Sequence, residues 1–422
     1  MSAQINAQPI SGANSGWLAS LARNLLFKRL QQLHTGTLIV IEGTQRHVFG
    51  QPLAQHAELQ VELVIKDPGS YVDITFGGSV GAAEAYMTGD WECDKLTQLI
   101  QLFVRNMDVL DKMDSGWTVI QKPLMKLLHN LKRNTEKGAR RNVAAHYDLG
   151  NSMFATFLDP TMMYSSGIFP RADASMQEAS EHKLRTICEK LGVQASDHIV
   201  EIGTGWGGFA IFAAREYGCR ITTTTISQQQ YQLAKQRIEE AGLGDKITLL
   251  QQDYRKLDGQ YDKLVSIEMI EAVGWQYYPT YFNKCASLLK PEGTMLIQAI
   301  TITDQRFEQY KKDVDFIQKY IFPGAGLPSV SAIMDAVREK TDLRLVHLQD
   351  FAEHYAMTLN AWCQRFMQRA ESIKAQGYSD EFIRMWEYYL RYCEGGFKER
   401  SIGVSHLIFA KPRHKQEVLS RA

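Results

Sequence analysis

The stretch Ile199-Val-Glu-Ile-Gly-Thr-Gly-Trp-Gly-Gly-Phe209 decides the fold. The apolar run from His198 to Glu201 predicts a buried strand, and the segment from Phe209 to Arg215 resumes at helical spacing. A strand that turns through glycines straight into a helix is typical of a site that cradles a nucleotide-like ligand. The glycines of this turn are Gly203, Gly205 and Gly207.

The spacing of the turn narrows the choice of ligand. Its glycines follow a G-x-G-x-G pattern rather than the G-x-G-x-x-G of dinucleotide folds, and the acidic Glu201 precedes the first glycine. This combination favours S-adenosylmethionine over NAD. The alternative for Glu201 is a carboxylate that only stabilises the start of the following helix.

Beyond residue 180, strands and helices alternate as in an open parallel sheet, so we predict an α/β, doubly wound fold. In such folds ligands bind at the carboxyl ends of the strands. The predicted strands are 198–202, 220–225, 247–251, 263–267, 294–300 and 404–410, and the predicted helices are 180–191, 209–216, 228–241, 277–289, 358–370 and 380–392.

Polar residues follow the second and third strands of this series. Thr225, Ile226 and Gln230 are expected beside a ribose, although Ser227 could serve there simply as a helix N-cap. Asp253 is expected to accept a hydrogen bond from an adenine amino group. Tyr254 and Ile267, also at strand ends, complete the candidate cofactor residues from this part of the chain.

The composition of the chain argues against several kinds of partner and site. The 422 residues include 47 basic and 47 acidic ones, so no net field attracts nucleic acid, and we expect no nucleic-acid partner. The six scattered cysteines contain no C-x-x-C pair, which indicates neither a metal site nor a disulfide framework. No apolar run reaches the roughly 20 residues that span a bilayer, which predicts a soluble or peripheral protein.

Four segments are predicted. Residues 1–120 form a small α+β domain, with strands at 37–42, 58–65 and 71–75, turns at 67–69 and 77–78, and a closing helix at 96–104. Residues 121–145 form a basic amphipathic connector, residues 146–412 the main domain and residues 413–422 a tail.

The connector suits an anionic lipid surface, because seven basic residues and one acid, between 122 and 141, are interleaved with leucines at helical spacing. A linker helix docked on the main domain is an equally good interpretation. Charge reversal at Lys132, Arg133, Arg140 and Arg141 would separate the two by its effect on vesicle binding. A second candidate segment, from Trp17 to Leu33, is better explained as a helix packed on the small domain.

From about residue 140 to 410 the sequence resembles the cyclopropane-fatty-acid synthase family and its mycolic-acid relatives. The H-Y-D-x-G-N segment and the Y-I-F-P run are specific to that family rather than to methyltransferases at large. The residues that carry the resemblance are His146-Tyr-Asp-Leu-Gly-Asn151, Tyr164-Ser165, Glu201-Ile-Gly-Thr-Gly-Trp-Gly-Gly208, Glu268-Met-Ile-Glu271, Tyr320-Ile-Phe-Pro323, Leu327-Pro-Ser329, Tyr355 and Trp362.

The resemblance implies a Rossmann-like class I methyltransferase that methylates the double bond of unsaturated phospholipid acyl chains and forms a cyclopropane. It adds Tyr164 and Ser165 to the cofactor residues. It also implies a bicarbonate ion as the base that removes a proton before ring closure, held by Glu271, Tyr355 and the backbone of Ile300. The expected location is cytoplasmic, peripheral on the inner face of the membrane, and the expected assembly is a homodimer formed through the small domain.

Two positions of the base site depart from the family pattern. Ser166 replaces the usual cysteine, and Gln298 replaces a histidine in the strand before Ile300. An amide can bond to bicarbonate but brings no positive charge and shuttles no proton. Methylation of the double bond leaves a carbocation. Either a base that is bound differently removes the proton and the ring closes, or the carbocation ends as a methyl-branched or methylene chain. Two other readings are a methyltransferase for a small soluble acceptor and an inactive lipid-binding module.

Aromatic residues of the main domain are candidates for an acyl-chain channel, although an aromatic stripe at helical spacing is more often core. They are Trp275, Tyr277, Tyr278, Phe316, Tyr320, Phe322, Trp386, Tyr388 and Tyr389.

Overall fold

The computed structural model of the chain describes residues 15–51, 59–109 and 150–415. The chain divides into two compact units, Met1–Ile120 and Gln121–Ala422. The predicted connector, residues 121–145, lies outside the described residues, as do residues 146–149 of the H-Y-D-L-G-N motif and residues 416–422 of the tail. No helix within the described ranges is long and apolar enough to span a bilayer.

The first unit combines a four-stranded sheet with three described helices. The strand order is β2-β1-β3-β4, with β1 parallel to β3 and the other pairs antiparallel. The elements are α1 (Ser15–Leu30), β1 (Gly36–Glu42), β2 (Gln45–Gln51), β3 (Gln60–Ile65), α2 (Ser70–Thr88), β4 (Trp91–Glu92) and α3 (Leu96–Arg105).

The strand predicted at 71–75 is wrong, because these residues lie in helix α2. Their β-branched side chains suggested a strand, but local propensity is outweighed by packing. Tyr71 is buried and its hydroxyl donates to Glu42 at 2.8 Å, which fixes this segment against β1. Gly78, predicted in a turn, bends the helix instead with a φ of 59°.

The second unit is built on a seven-stranded sheet, and the α/β, doubly wound prediction is confirmed. Its strands are β5 (His198–Ile202), β6 (Arg220–Thr225), β7 (Ile247–Gln251), β8 (Tyr261–Ile267), β9 (Leu289–Ile302), β10 (Arg344–Asp350) and β11 (Ile402–Ala410). Its helices are α4 (Asn151–Phe157), α5 (Met176–Leu191), α6 (Gly208–Tyr217), α7 (Gln228–Glu240), α8 (Tyr278–Leu288), α9 (Asp304–Tyr310), α10 (Val330–Lys340), α11 (Ala352–Gln368), α12 (Ala370–Lys374) and α13 (Asp380–Lys398).

The strand order β10-β11-β9-β8-β5-β6-β7 locates the ligand crevice. Strands β5 to β9 are parallel, whereas β11 runs antiparallel to both β9 and β10. The chain winds from β5 outward to β7 and then returns to β8 on the other side of β5. Because the winding reverses between β5 and β8, a crevice opens at their carboxyl ends.

Both faces of the sheet are covered. Val200 and Ile202 of β5 pack in a cluster with residues of α8 and α10, whereas Ile199 packs in a second cluster with residues of α5 and α6. Alternate side chains of one strand therefore enter two apolar layers, as expected for a central parallel strand. This double burial fixes the position of the glycine turn that follows β5.

The predicted strands 198–202, 220–225 and 247–251 have the same bounds in the structure. Strand β9 begins at Leu289, five residues before its predicted start, and β10 was not expected from the sequence. The segment before Pro323 forms a short π-helix, Ile317–Ile321. This irregular turn places Gly326, whose N–H donates to the carbonyl of Glu271 at 2.8 Å.

Ser175→Ala should destabilise the second unit by about 1 kcal/mol, because Ser175 and Glu178 form a reciprocal capping box at the start of α5. Urea unfolding measures the change. Ser372→Ala, on an exposed helical position without a capping role, is the control and should shift stability by less than about 0.5 kcal/mol. Equal effects of the two variants would contradict the capping role.

Candidate active site

The glycine turn after β5 is shaped for a close approach of its backbone to a ligand. Gly203, Gly205 and Gly207 have φ values of 97°, 51° and 86°, in the left-handed region that favours glycine. A Cβ on Gly205 would meet no atom within 4 Å, so open space lies in front of the turn. A Cβ on Gly208 would meet the carbonyl oxygen of Thr161 at 2.8 Å, so the start of α6 also requires glycine.

A cavity opens at the carboxyl ends of β5, β6 and β8, in front of this turn. Of the twelve predicted cofactor residues, only Gly207 does not line it. The predicted residues in its wall are Tyr164, Ser165, Glu201, Gly203, Gly205, Thr225, Ile226, Gln230, Asp253, Tyr254 and Ile267.

Glu201 is a buried carboxylate in the cavity wall. It accepts a hydrogen bond from the Thr223 hydroxyl at 2.6 Å, and burial raises its pKa to about 8. The nearby Lys183, on α5, is fully buried and donates to the Ser165 hydroxyl at 2.8 Å. Burial lowers the pKa of Lys183 to about 8, against the opposing pull of carboxylates that include Glu268 and Glu201.

Two further groups in the wall are held by local bonds. Arg255 donates to both oxygens of Asp253, at 2.8 and 2.7 Å, which fixes the plane of that carboxylate. The backbone N–H of Arg255 also donates to Oδ1 of Asp253, at 3.0 Å. Thr225 donates to the amide oxygen of Gln230 at 2.8 Å, and Ser227 caps the helix that begins beside them.

Beside the cavity, Glu268 accepts hydrogen bonds from three of the residues that were predicted to hold the base. Its Oε1 accepts from the backbone N–H of Ser166 at 2.9 Å and from the amide of Gln298 at 2.7 Å. Its Oε2 accepts from the Tyr355 hydroxyl at 2.7 Å. Ser166, Gln298 and Tyr355 are buried, whereas Glu268 is half-buried and lines the cavity.

A chain of hydrogen bonds fixes the orientation of the Gln298 amide. Lys190 lies 3.0 Å from Nδ1 of His406, and Nε2 of His406 lies 3.0 Å from Oε1 of Gln298. Since an ammonium only donates, the histidine accepts at Nδ1 and donates at Nε2. Burial lowers the pKa of His406 well below its usual value, which keeps this neutral tautomer. The Gln298 NH₂ group therefore points at Glu268.

The second carboxylate of the motif, Glu271, is arranged differently. Its Oε1 accepts from the backbone N–H of Ile300 at 2.5 Å, whereas its Oε2 is buried with no hydrogen-bond partner among the described residues. Burial, with a contribution from the charge of Glu268, raises the pKa of Glu271 to about 8. The backbone N–H of Ile300 and the hydroxyl of Tyr355, which the resemblance assigns to bicarbonate, thus donate here to Glu271 and to Glu268.

Sequence reasoning missed three functional residues of this pocket. Glu268 carries the family resemblance only as part of the E-M-I-E motif, although its place at the carboxyl end of a predicted strand, like that of Glu201, was an available signal. Lys183 stands among the buried residues Ser180, Leu184 and Ile187 of α5, so a lysine in an apolar helical row was the available signal. For His406, in the last strand, no local signal existed.

Residues 134–407 match the family model described as mycolic acid cyclopropane synthetase. The chain belongs to this family. It is 40% identical to the tuberculostearic acid methyltransferase of Mycobacterium tuberculosis over 78% of each chain. It is also 35% identical to the cyclopropane-fatty-acyl-phospholipid synthase of Escherichia coli, over 85% of this chain and 90% of that one.

A solved structure agrees with this assignment. The mycolic acid cyclopropane synthase crystallised with SAH and CTAB is 28% identical, with a TM-score of 0.60 over 64% of this chain and 98% of that one. This member of the cyclopropane synthetase family is therefore an S-adenosylmethionine-dependent methyltransferase.

The cavity of this methyltransferase fits S-adenosylmethionine. Carboxylates in its wall suit a ligand that carries a sulfonium and an ammonium group. The hydroxyl of Thr204, also in the wall, is buried without a partner among the described residues and is available to a ligand. The individual roles of the cofactor residues stay predictions.

The stability of Glu271→Gln should rise relative to that of the wild type as the pH increases from about 5 to about 8. In the folded protein the pKa of Glu271 is raised to about 8. The folded wild type therefore loses stability as the pH rises from the unfolded pKa of this side chain to its folded pKa, because the buried acid must either stay protonated or ionise at a cost. Glutamine can accept from Ile300 as well and does not ionise. Thermal unfolding of both proteins across this range measures the difference, and a constant difference would contradict the raised pKa.

Proposed function

We propose that the protein transfers a methyl group from S-adenosylmethionine to the double bond of an unsaturated acyl chain in a membrane phospholipid, and that ring closure then gives a cyclopropane fatty acid. The observation that carries the proposal is a carboxylate pocket beside the cofactor cavity, because a methylated alkene becomes a product only after proton loss. The names of the relatives from Escherichia coli and Mycobacterium tuberculosis support an acyl-chain substrate.

When bound, S-adenosylmethionine supplies an electrophilic methyl group to a carbon-carbon double bond, which is a weak nucleophile. The residues of the site then have three tasks: they orient the alkene, exclude water from the resulting carbocation, and accept a proton. Aromatic faces beside the pocket suit the second task, since they stabilise positive charge without reacting. The Tyr164 ring lies 5.3 Å from that of Trp362 and 6.2 Å from that of Phe322.

Most of the aromatic residues proposed for the acyl channel are buried and pack on one another. Trp386 lies 5.4 Å from Tyr389, and Phe316 lies 5.0 Å from Tyr388, measured between ring centroids. Tyr389 also places its hydroxyl 3.0 Å from that of Tyr164, at the edge of the cofactor cavity. Tyr389 and Tyr164 are therefore the residues that we propose to face the acyl chain.

A second product is favoured by one specific feature. Gln298, unlike histidine, cannot take up a proton, so the proton must leave through another group. After a hydride shift the carbocation could then lose a different proton, which gives a methylene chain or a methyl-branched chain that keeps a double bond. The relation to a tuberculostearic acid methyltransferase supports this second candidate.

Methyl transfer from radiolabelled S-adenosylmethionine should occur to vesicles of dioleoylphosphatidylglycerol and not to vesicles of the saturated distearoyl lipid. The physical reason is that only the alkene offers an electron pair to the methyl group. Scintillation counting of extracted lipid measures the transfer, and NMR of the released acyl chains separates a cyclopropane from a methylene or methyl branch.

Each other result of this assay rejects the proposal. Label in the saturated lipid would exclude the alkene as acceptor. Label in neither lipid would favour a small soluble acceptor or an inactive lipid-binding module.

A lipid substrate requires contact with a membrane surface, and helix α1 supports such a contact. One side of α1 is buried through Ala22, Leu26 and Leu30. The opposite side exposes Trp17, Leu21 and Leu25 by 64, 44 and 39%, and Lys28 is exposed on the same face. An exposed tryptophan and leucines beside a lysine suit reversible binding to anionic lipid. We therefore propose a peripheral location on the inner face of the cytoplasmic membrane; the homodimer stays a prediction.

The double variant Trp17→Ser/Leu21→Ser should weaken binding to dioleoylphosphatidylglycerol vesicles by about tenfold or more, because two partly exposed apolar side chains no longer enter the bilayer. Vesicle co-sedimentation measures the affinity. Val48→Ser is the matched control, since Val48 is 64% exposed in the same unit but lies on β2. Unchanged affinity of the double variant, or an equal loss in the control, would contradict a role for α1.

A further inference from the structure

The pocket that the family resemblance assigns to bicarbonate does not fit a free anion in this chain. Four hydrogen-bond donors were expected there: the N–H groups of Ser166 and Ile300, the amide of Gln298 and the hydroxyl of Tyr355. All four already donate to protein carboxylates, three to Glu268 and one to Glu271. A bicarbonate ion would therefore meet the side chain of Glu268 where it should sit, and no free donor from this set.

We propose that the side chain of Glu268 is the general base of the reaction and replaces an external bicarbonate. Like bicarbonate, a carboxylate offers two oxygens that share one negative charge. The oxygens of Glu268 take their hydrogen bonds from Ser166, Gln298 and Tyr355. This inference rests on the proposed methylation of an acyl double bond and names the group that completes it.

Glu268 differs from the other groups of the pocket because it can be reached from the cofactor cavity. Ser166, Gln298, Tyr355 and Glu271 are buried and do not line the cofactor cavity. Glu268 is half-buried and forms part of the cavity wall. It is therefore the carboxylate that stands between the buried donors and the space where the methyl group is delivered.

The backbone at Glu268 also sets this residue apart. Its φ is 50°, in the left-handed region, where a residue with a Cβ is uncommon and costs of order 1 kcal/mol. Strain of this kind persists where the surrounding structure holds the residue in place. Here the Glu268 N–H donates to the Gln298 carbonyl at 2.7 Å, and its side chain is held by three further bonds.

Burial raises the pKa of Glu268, and the surrounding groups oppose that rise. Lys183 is near enough to attract its negative charge, and three donors stabilise the carboxylate. Glu271, the other acid beside it, carries a raised pKa and is predominantly protonated at neutral pH. Burial raises the pKa of Glu268 as well, which makes its carboxylate a stronger base than one in water.

The proposed step is balanced in atoms and charge. The π electron pair of the alkene forms the new bond to the methyl carbon, and the sulfur–carbon bond breaks with its pair on sulfur. Positive charge thereby passes to the second alkene carbon. The carboxylate of Glu268 takes a proton and becomes a carboxylic acid, while the electron pair of that C–H bond closes a ring or forms a new double bond. The proton then passes to water.

The test compares methyl transfer to dioleoylphosphatidylglycerol vesicles in buffer depleted of carbon dioxide and in the same buffer with millimolar bicarbonate. The wild type should work at the same rate in both. Glu268→Gly should lose about 10²- to 10⁴-fold without bicarbonate and recover when bicarbonate is added, because it frees the three donors and leaves room for the ion.

Two further variants distinguish a chemical role of Glu268 from an effect on folding. Glu268→Gln keeps the shape of the side chain, so it should show the same loss without recovery. Glu353→Gln removes an exposed carboxylate two residues before Tyr355 and should be active without bicarbonate. Glycine is compatible with the φ of 50°, so Glu268→Gly should fold, and calorimetric titration with S-adenosylhomocysteine checks that its cofactor site is intact.

The outcomes separate this inference from the proposed function. A wild type that requires bicarbonate, or a Glu268→Gly variant that stays active without it, would overturn the role of Glu268 and leave the methylation itself standing. A wild type that methylates no unsaturated lipid in either buffer would overturn both. A purely structural role for Glu268 would not produce a variant that bicarbonate restores.

Discussion

The carboxylates at the carboxyl ends of β5 and β8 are the constraint on which the site depends. Glu201 is the next-to-last residue of β5, and Glu268 comes directly after β8, its parallel neighbour. Acids near one another in a partly dry crevice are costly unless something compensates their charge. Buried Lys183, the Thr223 hydroxyl and the donors around Glu268 provide that compensation.

The same compensation explains why residues far apart in sequence converge. Tyr355 comes from α11, Gln298 from β9, Ser166 from the loop before α5 and His406 from the last strand. Each contributes a hydrogen bond to this one network. Removal of a partner would leave a buried polar group unsatisfied, which costs about 1 to 3 kcal/mol. The pocket is therefore part of the stability of the sheet as well as of its chemistry.

The elements that could be predicted from the sequence are those that patterns of neighbouring residues determine. The strand 198–202 could be bounded to the residue because an apolar run ends at a glycine turn, and both signals lie within ten residues of each other. The bond between Tyr355 and Glu268 joins residues 87 positions apart, and no periodicity encodes it. Segment 71–75 was misread because its β-branched residues form a helix only when Tyr71 packs against β1.

The left-handed backbone of Glu268 has a consequence for how such enzymes can diverge. Glycine and glutamate codons differ by a single nucleotide, and this conformation accepts glycine without strain. One point mutation can therefore convert a site that carries its own base into one with room for a dissolved ion. The first kind of site makes lipid modification independent of the carbon dioxide supply of the cell, and the second ties it to respiration and growth medium.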